Sequence, residues 1–177
     1  MAYAVSGWFD EATAAQVHEI WNNLHESGIC SVMHEGPYRP HVTFGIYEGL
    51  DVEALRVALG NYTEGLAPLP CKLAYVGIFN NDLPTLFLAM TLSPALLNVH
   101  AEVHRYMSIH GTSPQAYYLY GHWHPHCTVS PGLPTEKLQK AWGLLQKVEV
   151  PIVGEINRLG IIETPAEVEL ATLPLTG

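Results

Sequence analysis

The sequence predicts an α+β fold: two pseudo-symmetric lobes of antiparallel sheet plus helices, set around a central cleft. Two observations predict it. The tetrapeptide Pro-His-x-Thr occurs twice, as Pro40-His41-Val42-Thr43 and as Pro125-His126-Cys127-Thr128, each inside an apolar, strand-like run. For a chain with 13 Pro and 10 His, a second copy is roughly a one-in-a-thousand accident. The elements around the two copies also recur in the same order. Helix starts at Asp10 and Ser93 lie 83 residues apart, the motif histidines 85, and the later helix starts at Asp51 and Thr135 84. The repeat halves are residues 1–91 and 92–177, within one domain of 177 residues.

Taken in order, Ala2 to Phe9 reads as a strand. Asp10 then caps a helix running to about Ser27, with Ala14, Val17, Ile20, Trp21 and Leu24 on one stripe. A strand is expected near Ile29–Met33, before the first motif strand. Asp51 caps a short helix ending at Gly60. Cys71–Phe79 and Leu83–Thr91 form a hairpin around Asn80-Asn81-Asp82. Ser93-Pro94 supplies a cap and an N1 proline for a helix reaching Gly111. Tyr117–Tyr120 leads into the second motif strand, Thr135-Glu136 opens a helix to about Lys147, and Ile152–Glu163 turns at Thr164-Pro165 into Glu167–Leu173.

Composition excludes several classes. Apolar residues make up 48% of the chain, ample for a packed core, while charged residues are only 14%. A net charge of -9 argues against a charge-driven grip on long double-stranded nucleic acid but leaves room for a small phosphorylated ligand. Cys30, Cys71 and Cys127 show no Cys-x-x-Cys spacing, which points to a reducing compartment. The first residues carry no basic segment before an apolar one, and no apolar stretch has the length of a membrane span. The expected setting is the cytoplasm, without a membrane partner and as a monomer, so the sequon Asn61-Tyr62-Thr63 has no use.

Residues two apart on a strand face the same way, so each motif aims one imidazole and one hydroxyl together, with Val42 and Cys127 turned into the core. Imidazole titrates near neutral pH and hydroxyls donate hydrogen bonds, a set suited to acid–base chemistry on a phosphate. Other histidine patterns compete. His100-Ala101-Glu102-Val103-His104 spaces two histidines one helical turn apart, but its Glu stands one place too late for a zinc protease helix; both histidines are expected on a partly exposed helix face. His122, His124 and His126 alternate and could bind a metal on one strand face, yet no carboxylate stands nearby. His126 is preferred as catalyst, with the other two peripheral. Cys127 could pass for a nucleophile but alternates away from the site.

The doubled motif, His41 and Thr43 in PHVTFG with His126 and Thr128 in PHCTVS, resembles that of the 2H (two-histidine) phosphoesterase superfamily. That superfamily includes bacterial 2′-5′ RNA ligase-like proteins and 2′,3′-cyclic nucleotide phosphodiesterases. The resemblance implies a bilobal fold with both histidines facing inward and phosphodiester chemistry with no metal and no cofactor. By analogy with the cyclic phosphodiesterase branch, it makes His126 the base and His41 the acid, while the near-symmetry of the motifs leaves the exchanged assignment open.

The expected activity is opening of a 2′,3′-cyclic phosphate, or a similar cyclic or 2′-5′ phosphodiester, on a small nucleotide or short RNA end. A non-catalytic binding module on the same fold is the rival from another class, and a metal hydrolase using His122, His124 and His126 is a third. Tyr38, Tyr47, Phe79, Tyr120 and Trp123 are candidates for stacking on a base. Arg39 is the cation next to a motif, and Ser130 continues the His126–Thr128 face as a third hydroxyl.

Overall fold

The computed structural model describes residues 1–177. Its elements are β1 (Ala2–Phe9), α1 (Glu11–Glu26), α2 (Val32–Glu35), β2 (His41–Leu50), α3 (Val52–Thr63), β3 (Leu69–Phe79), β4 (Thr85–Met90), α4 (Pro94–His110), β5 (Gly111–Pro114), β6 (His126–Ser130), α5 (Thr135–Leu145), β7 (Ile152–Thr164) and β8 (Val168–Pro174). The strands form one eight-stranded sheet in the order β5-β2-β1-β7-β3-β4-β6, with β8 on β7, and every pairing is antiparallel. The 13-residue strand β7 organises it. One edge pairs with β1 along most of its length. The other edge is shared, with β3 along Ile152–Ile156 and β8 along Arg158–Glu163. Strands from both halves of the sequence thus meet on β7. The sheet curls enough for β2 and β6, far apart in strand order, to approach one another directly.

Helix boundaries follow their caps. Asp10, Asp51 and Ser93 each accept a hydrogen bond from the backbone N–H three residues on, at 2.9, 3.0 and 3.1 Å. Gly28, at φ +65°, lets the chain leave α1 in a left-handed turn that returns the Ile29 N–H to the Leu24 carbonyl at 3.0 Å. The segment Ile29–Met33 is not a strand. Ser31 to Glu35 forms one helical turn, and Ile29 and Met33, four apart, are both buried in the main core. Apolar residues four apart fit a helical turn at least as well as a short strand. Helix α3 runs to Thr63 past Gly60, and Tyr117–Tyr120 lies in a 3₁₀ turn (Ala116–Tyr118) and the loop after it.

The main core holds Val17, Ile20, Trp21 and Leu24 from α1 together with Val42, Phe44, Leu88, Cys127, Val129 and Ile156 from the strands. A second, small cluster of Ala4, Trp8 and Ile162 lies apart from it. That separation follows from β1 being buried on both faces: Val5 and Phe9 enter the main core, while Ala4, Ser6 and Trp8 face the other way. The candidate residues His41, Thr43, His126 and Thr128 line a cleft together with Ala4, Ser6 and Ile162 of that second face. No helix is long and apolar enough to cross a membrane.

Candidate active site

Both motifs are built alike. Each His opens its strand directly after a Pro. In each, the ring Nδ1 lies 2.6 Å from the carbonyl oxygen two residues back, Arg39 for His41 and His124 for His126. A carbonyl only accepts, so Nδ1 carries the hydrogen in both rings and Nε2 is left for the cleft. Thr43 and Thr128 follow on the same faces. All four side chains line one cleft of about 240 Å³, together with Ser6, Tyr38, Tyr118 and Glu167. The Ser6 hydroxyl is fully buried and donates to Thr43 Oγ1 at 3.4 Å, which leaves the Thr43 proton free to point outward.

The backs of the motifs also match. The buried Trp123 indole donates to the Thr43 carbonyl at 2.9 Å, and the buried Trp21 indole donates to the Thr128 carbonyl at 3.1 Å. Strand β2 pairs with β5 only from Tyr47 onward, and β6 pairs with β4 alone, so each motif strand has an open edge at its threonine. The indoles satisfy carbonyls that the sheet leaves unpaired.

The surroundings of the two imidazoles differ. His126 meets Phe79 edge-on, centroids 4.9 Å apart, and Phe87 at 5.2 Å. Phe87 lies against Gly77, where a Cβ would collide with its ring. His41 stands near Arg39, Glu167 and Glu169. Burial holds both imidazoles below the usual histidine range, opposed in each by the backbone hydrogen bond; for His126 the charges of His41 and His124 lower it further. Burial also raises the Glu167 carboxyl, against a lowering contact with Thr164.

Sequence comparison places the chain in a family. The profile described as the 2′-5′ RNA ligase superfamily matches residues 49–167, taking in the second motif and beginning just after the first. The chain belongs to the 2′-5′ RNA ligase superfamily. Solved structures agree on the fold of this superfamily member over its full length. TT0787 of Thermus thermophilus has a TM-score of 0.67 at 17% identity, covering 100% of this chain and 99% of that one. Escherichia coli LigT in apo form has a TM-score of 0.59 at 12% identity, covering 99% and 98%. Kluyveromyces marxianus Usb1 with uridine monophosphate has a TM-score of 0.52 at 12% identity, covering 98% and 97%. No curated protein sequence matches significantly.

Several of this superfamily member's other residues lie away from where the sequence suggests. Tyr38 lines the cleft and Phe79 packs on His126, but the other three aromatic candidates do not face the cleft. Tyr47 is buried, its hydroxyl 3.1 Å from His104 Nδ1, because the sheet register slips beside Phe44 and turns Tyr47 toward α4. Trp123 is buried behind β2, stacked 4.0 Å from His100, and Tyr120 is 84% exposed outside the cleft. Ser130 is fully buried with no hydrogen-bond partner and does not line the cleft. Arg39 lays its guanidinium 4.9 Å above Trp8 and 3.5 Å from Glu169, and its carbonyl orients His41.

His100 and His104 are not on an exposed face. His100 Nε2 is 2.7 Å from the Tyr118 carbonyl and His104 Nε2 is 3.0 Å from the Phe44 carbonyl, so the pair fastens α4 to β2 and the Tyr118 turn. His122 and His124 are exposed, and no three His, Cys, Asp or Glu side chains stand together as metal ligands. Burial pushes the Cys127 thiol up to about 12, which removes it as a nucleophile. Ser6, Trp21, Phe87, Tyr118 and Glu167 are the residues that motif reading misses. Only Trp21 carried a signal, since a buried indole N–H requires an acceptor. The largest concavity, about 580 Å³ between α1 and the end of α5, contains none of these groups.

Proposed function

We propose that this protein is a metal-independent phosphodiesterase that opens a 2′,3′-cyclic phosphate, or a similar small phosphodiester, by paired-histidine acid–base catalysis. The observation that carries the reading is the duplicated geometry: two His–Thr pairs on one cleft, each His held with Nε2 toward it. Usb1, which shares the fold, has been solved with uridine monophosphate, and a nucleotide of that kind suits a cleft with few cations. In-line attack needs a base on one side of phosphorus and an acid on the other, and imidazole suits both.

His126 is the better base. Two phenyl rings and the field of a protonated His41 disfavour its charged form. Water attacks phosphorus as His126 Nε2 accepts its proton; the bond to one ribose oxygen breaks as His41 Nε2–H protonates that oxygen, giving a phosphate monoester. Thr43 and Thr128 donate to the non-bridging oxygens, where charge builds. Exchange with solvent then returns His126 to neutral and His41 to its protonated form. The negative phosphate raises both imidazoles on binding, opposing burial, so the acid form of His41 persists near neutral pH.

The test is turnover of 2′,3′-cyclic nucleotides by His41→Ala and His126→Ala. Each should lose at least about a hundredfold in kcat, and the rate of the unaltered protein should fall on both sides of a pH optimum. Full activity in either variant would sink the mechanism. Nucleotide binding without turnover by the unaltered protein would make it a binding module.

A further inference from the structure

The cleft does not end at His41. Two smaller cavities continue it along the Ala4–Ser6–Trp8 face. The first, about 30 Å³, shares His41, Ile162 and Glu167 with the cleft and adds Trp8, Arg39 and Glu169. The second, about 210 Å³, shares Trp8 and Arg39 with the first and opens onto His18, Asn157, Arg158 and Glu11. Together they make one trough running from the two histidines, past Trp8, to a chamber edged by two guanidiniums.

Positive charge is scarce on this chain, with only 8 Lys and Arg against 17 Asp and Glu. Of the four arginines, Arg56 and Arg105 are tied to glutamates at 2.6 and 2.7 Å, three residues away on their own helices. Arg39 makes one looser contact with Glu169, at 3.5 Å and half exposed, the kind of pair that is easily exchanged. Arg158 pairs with no carboxylate. The two arginines not tied within their own helices, Arg39 and Arg158, thus border the same chamber.

We propose that this chamber is a second anion subsite: Arg39 and Arg158, assisted by His18, hold a phosphate of the substrate other than the one that reacts. Guanidinium forks suit phosphate oxygens, and the charge-assisted contacts of such a half-exposed site are together worth about tenfold in affinity. Glu11 and Glu169 at the edges limit the site to one phosphate rather than a charged track. The proposal rests on the phosphodiesterase reading only in assigning the reacting phosphate to His41 and His126.

Calorimetric titration with adenosine 3′-monophosphate and adenosine 3′,5′-bisphosphate tests it without turnover. The bisphosphate should bind at least about tenfold tighter. That ratio should fall to about twofold or less in Arg158→Ala, and Arg158→Glu should bring it to one or below. Arg158 is exposed, and matching circular dichroism would establish that each variant folds. A ratio near one in the unaltered protein, or a ratio indifferent to Arg158, overturns the subsite. So does inorganic phosphate alone binding through Arg158 as tightly as the bisphosphate, since the site would then serve a free anion. If cyclic phosphates are not turned over while the ratio holds, the subsite stands and the enzymatic reading falls.

Discussion

Replacing Trp21 or Trp123 by Phe removes one N–H from behind one motif strand and leaves a ring in place. The two indoles are buried, exposed by 2% and 7% respectively, and each donates to the carbonyl of a motif threonine. A buried carbonyl stripped of its donor costs about 1–3 kcal/mol. The smaller ring forfeits roughly another 1 kcal/mol of burial and packing. Each variant should therefore lose about 2–4 kcal/mol in urea unfolding, a large share of the roughly 5–15 kcal/mol typical of a domain. Trp142→Phe is the control: Trp142 is 41% exposed and makes no indole hydrogen bond, so it should cost less than about 0.5 kcal/mol. The freed strand edge should also let the threonine hydroxyl drift, lowering kcat about tenfold. A loss below about 0.5 kcal/mol in both buried variants would refute the idea that the indoles fasten the open strand edges.

Three further outcomes are expected. His41, His100, His104 and His126 are all held below the ordinary imidazole range, mainly by burial. The unfolded chain therefore binds protons that the native fold refuses, and stability falls as pH drops through the histidine range and is full above it. Melting temperature should decline between about pH 7 and pH 5, and His100→Gln, which keeps a donor for the Tyr118 carbonyl, should flatten part of that slope. Gly154→Ala should destabilise the fold by about 2 kcal/mol or more in denaturant unfolding, because its Cβ would press on Thr13 and on the Asp10 carboxylate that caps α1 and holds the Glu155 N–H. Chelator should leave cyclic phosphodiester turnover unchanged; a loss restored by zinc would revive the reading built on His122, His124 and His126.

The histidines and threonines were legible in the sequence because strand alternation is short-range: a Pro start and a period of two fix where His41 and Thr43 point. Helix starts at Asp10, Asp51 and Ser93 were legible for the same reason, since an N-cap acts over three residues. What was not legible depended on contacts across long stretches of chain. Tyr47 left the expected face through a register slip against β1 that no local pattern encodes. Trp123 and His100 read as surface or cleft groups until α4 and β2 came together over them. Arg158 and Glu167 reach the trough only because β7, and the turn that follows it, lie beside β1, and nothing in their neighbouring residues announces it. Ile29–Met33 failed differently, because four-residue spacing of two apolar side chains serves a helical turn and a short strand alike.

The carbonyls of Arg39 and His124 steer the two rings with a peptide dipole. An aspartate in either place would orient the imidazole equally well, yet would set a full negative charge behind the ring, on the path of an incoming anion. It would also pull the proton affinity of the ring upward and keep it charged, blunting its capacity to act as a base. On a protein whose net charge is already -9, a neutral guide keeps local repulsion off the phosphate. The proline that precedes each histidine fits this arrangement, since it holds Arg39 and His124 extended, the conformation in which their carbonyls meet the rings.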